Sequence, residues 1–177
     1  MANFADRMIR AAKLDVQLYE EVEADKEALG QSMGVVVLSS VAGGIGSFQV
    51  MGMTGIVVGT VASLIGWYIW AYLTYLIGTK MLPEPETQSD IVELLRTTGF
   101  SSSPGILRIL GVVPVLAIPV GLISSIWMLA SMIIAVRQAL DYKSTWRAVG
   151  VCLIGWIIQT VIVVSIVLLA GGPKQPA

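Results

Sequence analysis

Few side chains in this sequence of 177 residues could carry out chemistry. There is no histidine, so the usual general base and commonest metal ligand near neutral pH is missing. The single cysteine, Cys152, lies in an apolar run, and a small buried apolar residue is its simplest interpretation. Paired carboxylates, nucleophile–base sets, phosphate-binding loops and metal-ligand spacings are also missing from the sequence. We therefore expect no catalytic residue, no metal site and no cofactor.

Three polar side chains stand out because the sequence around them is apolar. Gln159 lies deep in a predicted span, where an interhelical hydrogen bond contributes about 1 kcal/mol. A contact with a ligand or an ion is the alternative for Gln159. Arg108 and Arg137 lie at the ends of predicted spans, so we expect them to reach the inner headgroups. No charged residue lies in the middle of a predicted span, which argues against a proton-coupled pump but not against a passive pore.

Long runs without any charged residue place most of the chain in a membrane. These runs cover residues 28–79, 109–136 and 148–173. A bilayer core is about 30 Å thick and needs about 20 apolar residues for each helix. Charged residues make up only 13% of the chain, against about 25% in ordinary soluble domains. The lipid bilayer is therefore the first expected partner, and the loops carry too few basic residues to bind nucleic acid.

The runs predict an all-α fold, a polytopic five-helix transmembrane bundle with amphipathic N-terminal and loop helices. The predicted membrane domain covers residues 30–170, after a cytoplasmic helix over 1–29 and before a short external tail over 171–177. Its expected spans lie near residues 30–50, 55–78, 106–118, 121–138 and 146–169.

Glycine and proline residues set the predicted breaks between spans. The first two spans share one charge-free run, and Gly52 and Gly55 mark the expected break between them. Pro114, Pro119 and Gly121 predict the kink of a tight hairpin between the third and fourth spans, because each proline removes a backbone donor. One long kinked helix over this region is the alternative.

The distribution of basic residues predicts the topology. Lysine and arginine prefer the cytoplasmic side of short loops. With five spans, ten of the eleven basic residues lie inside and only Lys174 lies outside. With four spans, Arg137, Lys143 and Arg147 would move outside. We therefore expect a multi-pass protein of the cytoplasmic membrane, with its N-terminus inside and its C-terminus outside.

Two polar segments are predicted to form helices on the inner side of the membrane. Residues 4–29 form a helix with a basic first half and an acidic second half. A solvated helix is its simplest interpretation, and an interfacial helix on anionic lipid is the alternative. Residues 88–98 follow a capping box of Thr87 and Asp90 and predict an amphipathic surface helix. The expected inner-face anchors are the basic residues near that surface: Arg7, Arg10, Lys13, Arg108, Arg137 and Arg147.

Small residues repeat at four-residue spacing and predict close helix packing. One row lies in the second span and another in the fourth, and packing within one chain is favoured over dimerisation. The amide of Gln159 in the fifth span is expected to join this packing. The expected helix-packing residues are therefore Gly55, Gly59, Ser63, Ser131, Ala135 and Gln159.

Three segments of the sequence carry a resemblance to a known family. They are FADRMIRAAKLDVQLYEEVEADKEALGQS, LLRTTGFSSSPGILRILGVVP and WMLASMIIAVRQALDYKSTWRAVGV. The chain resembles short prokaryotic members of the YIP family, integral membrane proteins named for interaction with Rab-type GTPases. The resemblance implies an all-helical membrane domain with the N-terminus inside and the C-terminus outside. In eukaryotic members it implies membrane-traffic work through binding of lipid-anchored small GTPases and membrane proteins, and it assigns no binding residue here.

The function expected from the sequence is that of a non-enzymatic scaffold, an organiser or partner-binding subunit of the cytoplasmic membrane. Its partner would be a membrane or cytoplasmic protein, and an oligomer is left open. The working surface would combine the helix over 4–29, the helix over 88–98 and the loop over 142–147. A small channel or transporter component is the alternative, with the proline hairpin, residues 43–46 and Gln159 along its pathway.

Overall fold

The computed structural model describes residues 3–169, and all regular secondary structure there is helical. The prediction of an all-α chain is therefore confirmed, while the expected tail over 171–177 lies outside the described residues. A π-helical segment (Ile77–Met81) extends α4, and a 3-10 helix (Ser103–Val112) precedes α6. The α-helices in chain order are α1 (Phe4–Ala12), α2 (Val16–Ala24), α3 (Ala28–Gly46), α4 (Phe48–Leu76), α5 (Ile91–Phe100), α6 (Pro114–Ala139) and α7 (Thr145–Leu169).

Four helical segments between residues 3 and 169 are long and apolar enough to cross a membrane. They are Ala28–Gly46, Phe48–Met81, Pro114–Ala139 and Thr145–Ile162. The 3-10 helix is apolar but shorter than these four. The chain is thus a membrane protein by helix length and composition, and the expected count of five helical spans is not confirmed.

The connection between α3 and α4 is short and kinked. Helix α3 ends at Gly46, and Ser47 alone separates it from α4. Gly52 has a φ of 60°, which interrupts the helical geometry one turn into α4. Glycine adopts this left-handed region without steric cost. The predicted break at Gly52 is therefore a kink, and the end of the first span comes earlier than expected.

The predicted proline hairpin does not form, because α6 runs without a break through Pro119 and Gly121. Pro114 stands in the first turn of α6, where a backbone N–H has no helical partner and proline is favoured. Pro119 removes one helical hydrogen bond, a loss that membrane helices tolerate. Residues 103–112 form the 3-10 helix instead of half a span. The expected bounds 106–118 and 121–138 are corrected accordingly.

Helix α5 lies inside the bundle, in contact with α2, α3, α4 and α6, and not on a membrane surface as expected. Its residues from Leu94 to Phe100 are all buried. The capping box is formed by Asp90 and Glu93, not by Thr87 and Asp90. The carboxylate of Asp90 accepts from the N–H of Glu93 at 2.8 Å, and Glu93 accepts from the N–H of Asp90 at 2.9 Å.

The α5 helix and the 3-10 helix together follow α3 along its length. A Cβ atom on Gly99 of α5 would lie 2.6 Å from Cβ of Ser32, in the second turn of α3. A Cβ atom on Gly46, the last residue of α3, would overlap the carbonyl oxygen of Arg108 in the 3-10 helix. The two helices therefore extend from one end of α3 to the other.

The predicted N-terminal helix is divided into α1 and α2, which meet at Leu14 with a φ of 61°. Helix α2 packs on α5 and α6 through Leu18, Tyr19 and Val22, which are fully buried. The hydroxyls of Tyr19 and Ser131 form a hydrogen bond of 2.6 Å. The N-terminal segment is thus part of the folded bundle.

Candidate functional site

Three polar segments that are distant in sequence meet at one end of the bundle. We name this end the polar cap and define it as residues 15–27, 82–93 and 140–147. The cap holds eleven of the twelve carboxylates of the chain against three basic residues. It lies where α3 and α7 begin and where α4 and α6 end. Parts of all three segments of the expected working surface therefore meet at this end of the bundle.

The connection after α6 holds the loop after α4 in place. The hydroxyl of Tyr142 lies 3.0 Å from the carbonyl oxygen of Gly78 and 2.7 Å from that of Leu82. The guanidinium of Arg147 donates to the carbonyl of Pro83 at 2.7 Å and pairs with Glu84 at 3.2 Å. Because prolines leave this loop without regular backbone pairing, these side chains define its position.

Helix α1 directs Arg7 and Arg10 to carboxylates of the cap. Arg7 is only 6% exposed and pairs with Glu21 at 2.9 Å and Asp25 at 2.8 Å. Arg10 pairs with Asp15 at 2.8 Å and Glu21 at 2.6 Å. Hydrogen bonds from Arg10 and then Arg7 hold the pKa of Glu21 below its usual range. Both arginines are therefore paired internally, and their expected role as inner-face anchors stays a prediction.

The remaining expected anchors occupy different environments. Lys13 is exposed at the end of α1. Arg137 donates to the carbonyl oxygen of Tyr142 at 3.2 Å, so it supports the cap loop. Arg147 belongs to the cap, as described above. Arg108 lies far from the cap, because its guanidinium donates to the hydroxyl of Ser39 in the second half of α3, at 2.9 Å.

Arg96 is a structural residue that the sequence did not reveal. Its side chain is 5% exposed, and its Nε donates to the carbonyl oxygen of Val22 at 3.0 Å. Its Nη2 donates to the carbonyl oxygen of Glu23. Both carbonyls belong to the last turn of α2, which has no basic residue of its own there. Arg96 thus caps α2 from α5, and only the long-range packing makes this contact visible.

Four carboxylates form an acidic patch on the cap, which we define as Glu20, Glu23, Glu93 and Asp141. None of the four makes an ion pair with a basic side chain within residues 3–169. Burial, followed by repulsion from the other three carboxylates, raises the pKa of Glu23 to about 8. In the described part of the chain no group of acidic residues has the geometry to hold a metal ion. The patch is a cluster of four acidic side chains, and its negative charge grows as the pH rises toward the pKa of Glu23.

The raised pKa of Glu23 predicts that the stability of the fold decreases as the pH rises. The pKa of Glu23 is about 8 in the folded chain, against an ordinary value of 4.5. The folded state therefore binds more protons than the unfolded state between these values, and its stability falls as the pH rises. Replacing Glu23→Gln should raise the melting temperature in detergent, by an amount that grows from about pH 4.5 and levels off above about pH 8. A difference that is constant over this range would contradict the assignment to Glu23.

The predicted packing residues divide into two groups. Ser131 and Ala135 are buried, and Ser131 contacts the N-terminal helices, since its hydroxyl also lies 3.5 Å from the carbonyl oxygen of Ala11. Gly59 and Ser63 are exposed on α4, and a Cβ atom on Gly59 would meet nothing within 4 Å. The three atoms nearest to a Cβ atom on Gly55 would all belong to Met51, one turn earlier in the same helix.

Gln159 and Ser63 lie on a cavity of about 690 Å³ between α3, α4, α6 and α7. Arg108 lines the same cavity, so the structure brings together two polar residues that the sequence assigned to separate places. The amide nitrogen of Gln159 would lie 3.8 Å from a Cβ atom on Gly66. Gly43 lies against the guanidinium of Arg108, since a Cβ atom on this glycine would be 3.4 Å from Cζ of the arginine. The proline hairpin of the expected pathway does not exist.

Comparison with known proteins gives one family. A family model described as the Yip1 domain matches residues 27–167. No curated protein and no solved structure matches the chain.

Proposed function

Since this chain belongs to the Yip1 domain family, we propose that it is a non-enzymatic scaffold of the cytoplasmic membrane whose polar cap binds a partner protein. The observation that carries the proposal is the acidic patch, four carboxylates drawn from α2, α5 and the 140–144 loop without a basic partner among residues 3–169. Keeping like charges together costs stability, so a surface of this kind favours a partner with a basic segment.

The proposal includes a five-pass topology with the cap in the cytoplasm. Helix α5 rises about 15 Å and the 3-10 helix about 20 Å, at the usual rise per residue, and together they match a bilayer core of about 30 Å. With this pair as the third crossing, Arg108 lies at the end opposite the cap, whereas most basic residues lie at the cap or bond to its residues: Arg7, Arg10, Lys26, Arg96, Arg137, Lys143 and Arg147. The positive-inside rule supports that arrangement, with the N-terminus inside and the C-terminus outside.

The test has two arms, and the first examines the topology. Single cysteines at Val113, beyond the 3-10 helix, and at Lys143, on the cap, are introduced into a Cys152→Ala background. An impermeant maleimide should label Val113→Cys on intact spheroplasts and label Lys143→Cys only after permeabilisation. Four crossings would reverse the two results and overturn the topology.

The second arm examines the acidic patch. A photo-crosslinking amino acid replaces Val92, which is exposed beside Glu93. In cells it should give a protein adduct that disappears in the double variant Glu20→Lys and Asp141→Lys. The matched control is Glu27→Lys, which changes an exposed carboxylate outside the patch and should keep the adduct. An adduct that survives the double variant, or lipid adducts alone, would overturn the role of the patch.

A further inference from the structure

The cavity between the long helices contains an arginine in a position where membrane proteins rarely tolerate one. The guanidinium of Arg108 donates to Ser39 and lies against Gly43, so it sits between about 5 and 10 Å inside the end of α3 that is opposite the cap. A charged side chain within the hydrocarbon region costs a few kcal/mol unless it is paired. Such residues mark functional sites in membrane proteins.

Hydrogen bonds within the chain use only some of the N–H donors of the Arg108 guanidinium. Nε donates to the carbonyl oxygen of Gly105 at 3.1 Å, and Nη2 donates to the hydroxyl and the carbonyl of Ser39 at 2.9 and 3.3 Å. These acceptors are neutral, and Nη1 has no acceptor among residues 3–169. Arg108 therefore keeps its full charge and a free pair of N–H donors.

The rest of the cavity suits an amphiphile. Hydroxyl and amide groups of Ser40, Ser63 and Gln159 line it beside Arg108. Aromatic walls come from Trp67 of α4 and Trp156 of α7, and the side chain of Trp156 is largely exposed, so the cavity reaches the lipid-facing surface. Its volume of about 690 Å³ lies within the range of small-molecule sites.

We propose that this cavity binds one anionic phospholipid, with its phosphate on Arg108 and one acyl chain along the apolar walls of α4 and α7. Guanidinium and phosphate form strong paired hydrogen bonds, which supply the countercharge that the cavity lacks. A free anion would leave the apolar walls without an occupant, so the lipid is the better match. The site lies at the opposite end of the bundle from the polar cap and is independent of partner binding.

Native mass spectrometry of the full chain in detergent, with equal amounts of phosphatidylglycerol and phosphatidylcholine, tests the proposal. The wild type should retain one phosphatidylglycerol in preference to phosphatidylcholine. Arg108→Gln should weaken that retention by at least about tenfold, the loss of one charge-assisted contact. The matched control Arg147→Gln removes an exposed arginine on the cap and should retain the lipid like the wild type.

Two further variants keep the test decisive if Arg108→Gln does not fold. Arg108→Lys preserves the charge and should keep part of the preference. Ser63→Phe fills the exposed mouth of the cavity from α4, leaves Arg108 in the sequence, and should also lose the lipid. Equal retention of both lipids would overturn the lipid site. Displacement of phosphatidylglycerol by millimolar inorganic phosphate would overturn it as well.

Discussion

Replacing Arg96→Ala is expected to lower the free energy of unfolding by about 3–5 kcal/mol, since hydrogen bonds to a charged group contribute about 1.5–3 kcal/mol each. The guanidinium of Arg96 is buried and donates to the carbonyl oxygens of Val22 and Glu23. Its removal leaves these two carbonyl oxygens without a donor, in a place that water reaches poorly. It also removes the one positive charge that favours ionised Glu23.

The matched control is Arg147→Ala, which removes an arginine from the exposed side of the same cap. Arg147 also bonds a carbonyl and a carboxylate, but its side chain is 46% exposed, so its loss should cost less than about 1 kcal/mol. Denaturant unfolding in mixed micelles, followed by circular dichroism, measures both variants. Equal losses for the two would show that Arg96 does not act as a buried cap. Arg96→Lys should fall between them, because an ammonium keeps the charge but lacks the planar fork.

The apolar runs predicted most of the membrane-spanning helices because they have no charge to interrupt them. Residues 28–79 became α3 and α4, and 148–173 contains most of α7. The packing of α5 and the 3-10 helix along α3 was missed, since α5 contains Arg96 and two threonines, and three serines follow it. Those hydroxyls are satisfied locally: Thr97 donates to the carbonyl oxygen of Glu93 at 3.0 Å, and Ser103 donates to that of Phe100 at 2.7 Å. A hydropathy average counts such side chains as polar, although the folded chain buries them at little cost.

The polar cap was predicted in outline and not in its pairings. Charge placement predicted that the helices over 4–29 and 88–98 and the loop over 142–147 would share one face, and the structure brings parts of all three together at the cap. The pairing of Arg7 with Glu21 and Asp25 depends on the turn at Leu14, which reverses α1 against α2. No periodicity in the sequence indicates that turn. The position of Arg108 at the end opposite the cap was missed for a similar reason, because this position depends on the 3-10 helix.

A second large loss of stability is expected from a substitution at the contact between α3 and the 3-10 helix. Replacing Gly46→Ala should lower the free energy of unfolding by about 2–3 kcal/mol, as overpacking of a close backbone contact does. The new methyl group would overlap the carbonyl oxygen of Arg108, and the Cα of Gly111 closes the other side at 3.5 Å. The atoms that the methyl group would meet all belong to the backbone, so no side-chain rotation can relieve the overlap. The contact also positions the helix that carries Arg108.

The same substitution at Gly59 separates crowding from helix propensity. Gly59 lies within α4, and a Cβ atom there would meet nothing within 4 Å. Gly59→Ala should therefore leave stability unchanged or raise it by up to about 1 kcal/mol, the usual gain from alanine in a helix. Unfolding in mixed micelles should give opposite signs for the two variants. If Gly46→Ala is as stable as the wild type, then the 3-10 helix does not pack on the end of α3, and the third crossing proposed along it loses its physical basis.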